Sequence, residues 1–231
     1  MRKAISTFIL VAVIGIAKPA FAQEMGVSFS FFFPKNGYFS APISPFSLRG
    51  IGFNITNNLA LETGGSLYRM SGMNVTNLPF ESKEPLVGPF FNLMVPVELI
   101  LQFGNNDFEF RIKGGGFVFY NFGTKLNNGN LDRAFVDYFN WVVANSNLQF
   151  DNKIGYGYEF GVEYVQYFSR KFGVSLGANY FIGGSNLNFR GNVSGATNDS
   201  NGVIVTAVSY PDAKLDYTGL EISIGIIFSS R

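Results

Sequence analysis

The stretch Phe91-Asn92-Leu93-Met94-Val95-Pro96-Val97-Glu98-Leu99-Ile100-Leu101-Gln102-Phe103 sets large apolar residues at every odd number and places Asn92, Pro96, Glu98 and Gln102 among the even ones. Successive side chains of a β-strand point to opposite faces of the sheet, so a period of two is the mark of a strand with unlike faces. The pattern returns on both sides of this stretch. Upstream, Val27, Phe29, Phe31 and Phe33 alternate with Gly26, Ser28 and Ser30, then Ile51, Phe53 and Ile55 with Gly50, Gly52 and Asn54, then Leu59, Leu61, Thr63 and Leu67 with Ala60, Glu62, Gly64 and Ser66. Downstream, Phe108, Phe110, Ile112, Val118 and Tyr120 oppose Glu109, Arg111, Lys113 and Gly115. Tyr156, Tyr158, Phe160, Val162 and Tyr164 oppose Gly157, Glu159, Gly161 and Glu163; Val174, Leu176, Ala178, Tyr180 and Ile182 oppose Gly173, Ser175, Gly177 and Asn179; Leu220, Ile222, Ile224, Ile226 and Phe228 oppose Gly219, Glu221, Ser223 and Gly225. That makes eight strands.

The connections alternate in length. Thr56-Asn57-Asn58, Gly104-Asn105-Asn106-Asp107 and Ser169-Arg170-Lys171 are tight polar turns, while 34–47, 70–89, 121–153 and 183–214 are long loops. Short turns on one side and long loops on the other describe an all-β, antiparallel up-and-down barrel of the membrane type. With an even strand number, both chain ends fall on the short-turn side.

Alternation alone also fits a soluble barrel with its apolar face inward. Volume decides between them. An eight-stranded barrel has an interior just wide enough for side chains to fill, and the apolar faces are too bulky for it. The opposite faces are rich in Gly, Ser and Asn and poor in Lys, as suits a crowded polar interior. The apolar face therefore points outward, into lipid. Phe103, Phe108, Phe168, Phe172 and Phe228 cluster beside the tight turns as an inner aromatic girdle, and Phe33, Phe91, Tyr120, Tyr156 and Tyr180 sit near the other ends.

Composition agrees. Charged residues are 14% of the 231, against about a quarter in an ordinary soluble domain, and aromatics reach 17%. A net charge of +1 with no Lys/Arg block gives no nucleic-acid footprint. There is no Cys and no His, which removes disulfides, thiol chemistry, the commonest general base and the commonest transition-metal ligand. Neither enzymatic activity nor a cofactor or metal is expected.

Residues 1–22 have the parts of a secretory signal: Arg2 and Lys3, an apolar run from Ala4 to Ala17, and the small-x-small site Ala20-Phe21-Ala22. The run is shorter than the roughly 20 residues a membrane helix needs. Cleavage is expected after Ala22, leaving 23–231 as the barrel domain.

The eight-strand layout, the Val95-Pro96-Val97-Glu98-Leu99 strand and the closing Ser223-Ile224-Gly225-Ile226-Ile227-Phe228 resemble the small bacterial outer-membrane barrels, porin-like barrels of the OmpA/OmpX type. The final strand is similar to that family's polar-x-Gly-x-x-aromatic assembly signal, although the chain runs on through Ser229-Ser230-Arg231. The resemblance implies a location in the outer membrane of a Gram-negative cell. It also implies outer-membrane lipid and lipopolysaccharide as surroundings, the outer-membrane assembly machinery as a partner, and surface-exposed loops with a partner that the residues do not name.

The inward set contains Glu62, Glu98, Glu109, Glu159, Glu163 and Glu221 with Arg111 and Lys113. Charges in so narrow a space need partners. If Phe103 pairs with Phe108 across the turn, Glu98 lies opposite Lys113. A salt-bridged polar plug is expected, with an acidic excess left to protons or water. Pro96, lacking a ladder donor, predicts a local bulge or kink. In the third long loop, Leu131, Phe135, Tyr138, Phe139 and Val142 recur at helical spacing after Asn128 or Asn130 as cap, predicting a short amphipathic helix that includes Phe135, Tyr138, Phe139 and Trp141. In the fourth, 186–190 and 203–208 predict a strand extension beyond the membrane. Function then divides between a closed barrel anchoring surface loops, in a structural or interaction role, and a narrow porin-like path or lateral passage for ions or small apolar molecules.

Overall fold

The computed structural model describes residues 24–35, 46–198 and 202–229. The expected signal, residues 1–22, lies outside them. In chain order the elements are β1 (Glu24–Pro34), β2 (Phe46–Asn54), β3 (Leu59–Met70), β4 (Val75–Thr76), β5 (Phe90–Gly104), β6 (Phe108–Phe122) and α1 (Asn128–Phe139). They continue with β7 (Val143–Gln149), β8 (Gly155–Ser169), β9 (Phe172–Asn186), β10 (Phe189–Ala196), β11 (Ile204–Tyr210), β12 (Lys214–Asp216) and β13 (Gly219–Ser229).

Eight strands close a barrel in the order β13-β1-β2-β3-β5-β6-β8-β9, with β9 pairing back onto β13. Every neighbouring pair is antiparallel. The alternation places the faces as expected: Val97 is 53% exposed and the next residue, Glu98, 3%. A band of Leu, Ile, Val, Phe and Tyr open all around the barrel would be an aggregation liability in water, and is a solvation match in lipid. No helix among the described residues is long and apolar enough to cross a membrane.

Three local features position the interior. At β2 the register with β3 shifts between Leu48 and Ile51, and Gly50 takes φ +80°, a region glycine enters without strain. Reading parity back from Ile51 would point Arg49 into lipid; this bulge turns it inward. Second, the β5–β6 turn is centred one residue later than expected, so each β5 residue pairs two residues further along β6. Asn105 donates its N–H to the Phe108 carbonyl, and its side-chain oxygen accepts from the Asp107 and Phe108 amides. Phe103 therefore pairs with Phe110, not Phe108, so Glu98 faces Gly115 and Lys113 faces Ile100. The expected Glu98–Lys113 opposition is not made. Third, Pro96 makes no bulge. β5 keeps one register with β6 throughout, and the missing donor shows only as a break in the β3 ladder between Thr63–Val97 and Ser66–Met94. There the Thr63 hydroxyl donates to the Pro96 carbonyl at 2.6 Å.

Beyond the barrel rim, on the long-loop side, β11, β10 and β7 form a separate sheet, and β12 with β4 extends the edge of β9. α1 packs on β7. Its N-cap is Asn127, one residue before the expected Asn128, with its side chain accepting from the Asn130 amide. Asn140 in the left-handed conformation ends it after Phe139, which puts Trp141 outside the helix. Trp141 instead stacks on Phe139 with centroids 4.6 Å apart and lies over Gly195. The Asp132 carboxylate accepts from both the amide and the hydroxyl of Ser146 at 2.6 Å, tying α1 to β7. Phe80 joins the second long loop to this cap through Phe135 and Tyr210.

The cap has its own clasp at the rim. Asp151 accepts from the Asn188 side chain at 2.7 Å and from Arg190 at 3.2 Å. The Asn188 hydrogen bond first, and then the Arg190 charge, hold its carboxyl below the ordinary carboxylate range. A carboxylate shifted this way contributes above the ordinary range and loses that contribution as pH falls through its lowered value. The protection of the β10 amides, taken relative to their intrinsic exchange rate at each pH, should therefore fall on acidification, and Asp151→Asn should remove that pH dependence. An unchanged profile in the variant would rule the clasp out as its source.

Candidate functional site

The interior divides into two halves. Toward the tight turns it is ionic. Arg49 from β2 donates to Glu221 of β13 at 2.5 Å, and Glu221 also accepts from the Tyr68 hydroxyl and from Asn179 at 2.8 Å. Arg111 on β6 donates to Glu109 at 2.7 Å and approaches Glu163 of β8 at 3.6 Å, while Lys113 reaches Glu163 at 2.8 Å. Tyr167 adds a hydroxyl donor to Glu109 at 3.2 Å. The barrel thus brings together Glu109, Arg111, Lys113 and Glu163 as one network and places Glu221 in a second, with Arg49. Glu62, Glu98 and Glu159 face inward but join no ion pair among the described residues.

Toward the cap the interior is aromatic. Phe32, Phe117, Phe119, Phe181 and Tyr217 fill it, with centroids 4.6 Å apart for Phe119–Tyr217, 4.9 Å for Phe32–Tyr217 and 5.2 Å for Phe117–Phe181. The expectation of a salt-bridged polar plug left these rings out of the interior. The four phenylalanines have the inward parity of their strands and were legible on that ground, whereas Arg49 carried no such signal. Tyr217 hangs from the connection into β13, and its hydroxyl donates to Asn92 at 3.2 Å. Asn92 in turn donates to Asn121 at 2.6 Å, fixing the outer rim of the polar wall.

A vestibule of about 530 Å³ opens at the tight turns between Asn54, Asn57, Gln102 and Asn105, with Glu62 and Glu109 in its wall. Deeper, the next void is about 20 Å³ and is lined by Arg49, Glu62, Arg111, Lys113 and Glu163. That is room for a single water. The aromatic block lies above it.

The girdle residues Phe103, Phe108, Phe168 and Phe228 are exposed at the turn end, and Phe172 is half-buried between Phe168 and Phe228 at 6.2 and 6.3 Å. Of the outer-loop set, Phe135 is buried under the cap, Tyr138 is exposed, Phe139 is half-buried, and Trp141 is 8% exposed. Phe135 and Trp141, with Phe139 packed against them, belong to one hydrophobic cluster with Phe117, Phe119, Phe181 and Tyr217, so the cap and the aromatic block share a core. No group of acidic, His or Cys side chains among the described residues is arranged to hold a metal.

No family model matches the chain, and no curated protein sequence does. Among solved structures, the chain is similar to the outer membrane protein OprG from Pseudomonas aeruginosa, at 12% identity, with 89% of this chain and 94% of that one covered and a TM-score of 0.47. It is also similar to Ail, the attachment invasion locus protein of Yersinia pestis, at 12% identity over 89% and 94% with a TM-score of 0.36. A third is a major outer membrane protein from Thermus thermophilus, at 10% identity over 89% and 98% with a TM-score of 0.42. The ring of eight strands, shut by the β9–β13 pairing and belted with apolar side chains, decides the architecture. The fold is that of the small eight-stranded outer-membrane barrels. In this barrel the ionic half faces the turns and the aromatic half faces the cap, so the part of the molecule shaped differently from a bare cylinder is the cap.

Proposed function

We infer that the chain is an outer-membrane protein, delivered by residues 1–22 with cleavage after Ala22, whose closed barrel anchors a folded surface cap in a structural or interaction role. The aromatic block carries this reading. With Phe117 and Tyr217 in ring contact with each other and each with Phe119 and Phe181, the cap side of the lumen is packed like a protein core. What remains available for work is the cap, whose free end bears Val142, Val143, Val203 and Val205 exposed. Lipopolysaccharide and outer-membrane lipid surround the barrel in this reading, the assembly machinery inserts it through its last strand, and no catalytic role is proposed.

The absence of cysteine makes orientation testable without background. Val205→Cys should be labelled by a membrane-impermeant maleimide on intact cells. Asn106→Cys, exposed in a tight turn, should react only after the outer membrane is opened. The reverse pattern would sink the reading. The second reading, a narrow path, draws on the vestibule of about 530 Å³ at the turn end. It would need that opening to continue through the aromatic block.

A further inference from the structure

The barrel interior holds more acid than the ion pairs use. Arg49 is matched to Glu221, and Arg111 and Lys113 to Glu109 and Glu163. The carboxylates left over, Glu62, Glu98 and Glu159, lie on one row of the sheet: Glu62 faces Glu98, Glu98 faces Gly115, and Gly115 faces Glu159. Gly115 puts no side chain between its two acidic neighbours, and a Cβ there would run into the Val97 carbonyl and the Glu98 backbone. Strands lie about 4.8 Å apart. Two glutamates separated by one glycine strand, on the concave side of a barrel, can therefore bring their carboxyl groups together.

Both are sealed in. Glu98 is 3% exposed and Glu159 4%, and in each the Oε1 oxygen has no hydrogen-bond partner. Two ionised carboxylates facing each other with bare oxygens is the costliest state such a pair can take. One proton between them removes a charge and gives a bare oxygen its donor. A metal fits less well, because no cluster of acidic side chains among the described residues is arranged to ligate one.

We propose that Glu98 and Glu159 share one proton across Gly115, forming a proton-binding site reached from the turn end by way of Glu62. Glu62 lines both the vestibule and the water-sized void behind it. The proton comes from vestibule water and returns to it, and no other bond changes. On the far side, Phe117, Phe181 and Tyr217 close the route. The charged and titratable groups that face the pair are Glu62 on β3, Arg49 on β2, Lys113 on β6, and Glu163 on β8, with Glu221 on β13 and Tyr217 just before it. The described inward residues of β1 and β9 bring serines, glycines, Phe32, Asn179 and Phe181, and no charge.

Infrared spectra of the folded mature barrel at neutral pH test this, with folding of every sample verified by heat-modifiable gel mobility. The wild type should show the carbonyl band of one protonated carboxyl, shifting on transfer to D2O. Glu98→Gln and Glu159→Gln should each abolish it, since an amide donor then satisfies the remaining carboxylate. Glu62→Gln should keep the band and slow its shift in D2O. A wild type without the band, a band that survives both single variants, or a band that changes when sodium is replaced by choline would overturn the proposal.

Discussion

Replacing Glu221 with leucine should cost the barrel about 3–5 kcal/mol, the penalty for breaking a buried ion pair by removing one partner. Glu221 is fully buried and gathers Arg49, Tyr68 and Asn179 onto one carboxylate. Its loss leaves the Arg49 guanidinium in the interior, close to unpaired Glu62 in the wall of the same small void. The cost should show as a lower urea midpoint in a bilayer or detergent, read from the gel-mobility shift. Arg49→Met added to Glu221→Leu should recover much of it, because a buried pair replaced as a unit is far less costly than one broken. A double variant as unstable as the single would mean that the lost packing and hydrogen bonds, and not the stranded charge, set the cost.

The second large effect lies in the other half of the lumen. Phe117→Ala or Tyr217→Ala should each cost about 3–5 kcal/mol, as large-to-small changes in a packed interior do. The two rings touch, at a centroid separation of 5.8 Å, so the double variant should fall short of or exceed the sum. Its more telling consequence is permeability. With both rings gone, a cavity opens in the cap-side half of the lumen, and water should reach further into the barrel than in the wild type.

The eight strands and their lipid-facing sides were legible in the residues because membrane strands carry both solvents in their alternation. Ile224 must meet lipid and Ser223 must not. The interior charges were legible as a set, and their partners were not. Partner choice depends on register, and register depends on turns. One side-chain oxygen, that of Asn105, anchors the β5–β6 turn one residue later than expected, and Glu98 moves from Lys113 to Gly115. Arg49 was hidden for a similar reason, since a bulge reverses parity without leaving a mark stronger than one glycine. The cap shows the limit most plainly. The helix and the 186–210 extension have local signals. β7 pairs with β10 across more than forty residues of chain, as Val143 with Ala196, and local periodicity carries no information about a partner that far away.

Single-channel recording in a planar bilayer decides whether the aromatic block shuts the lumen and leaves the work to the cap. The wild type, verified as folded by its heat-modifiable mobility, should give a silent bilayer, and the Phe117→Ala/Tyr217→Ala variant should give discrete conductance steps. Steady steps from the wild type, with an ion preference that Glu98→Gln alters, would contradict the account and make the barrel a pore.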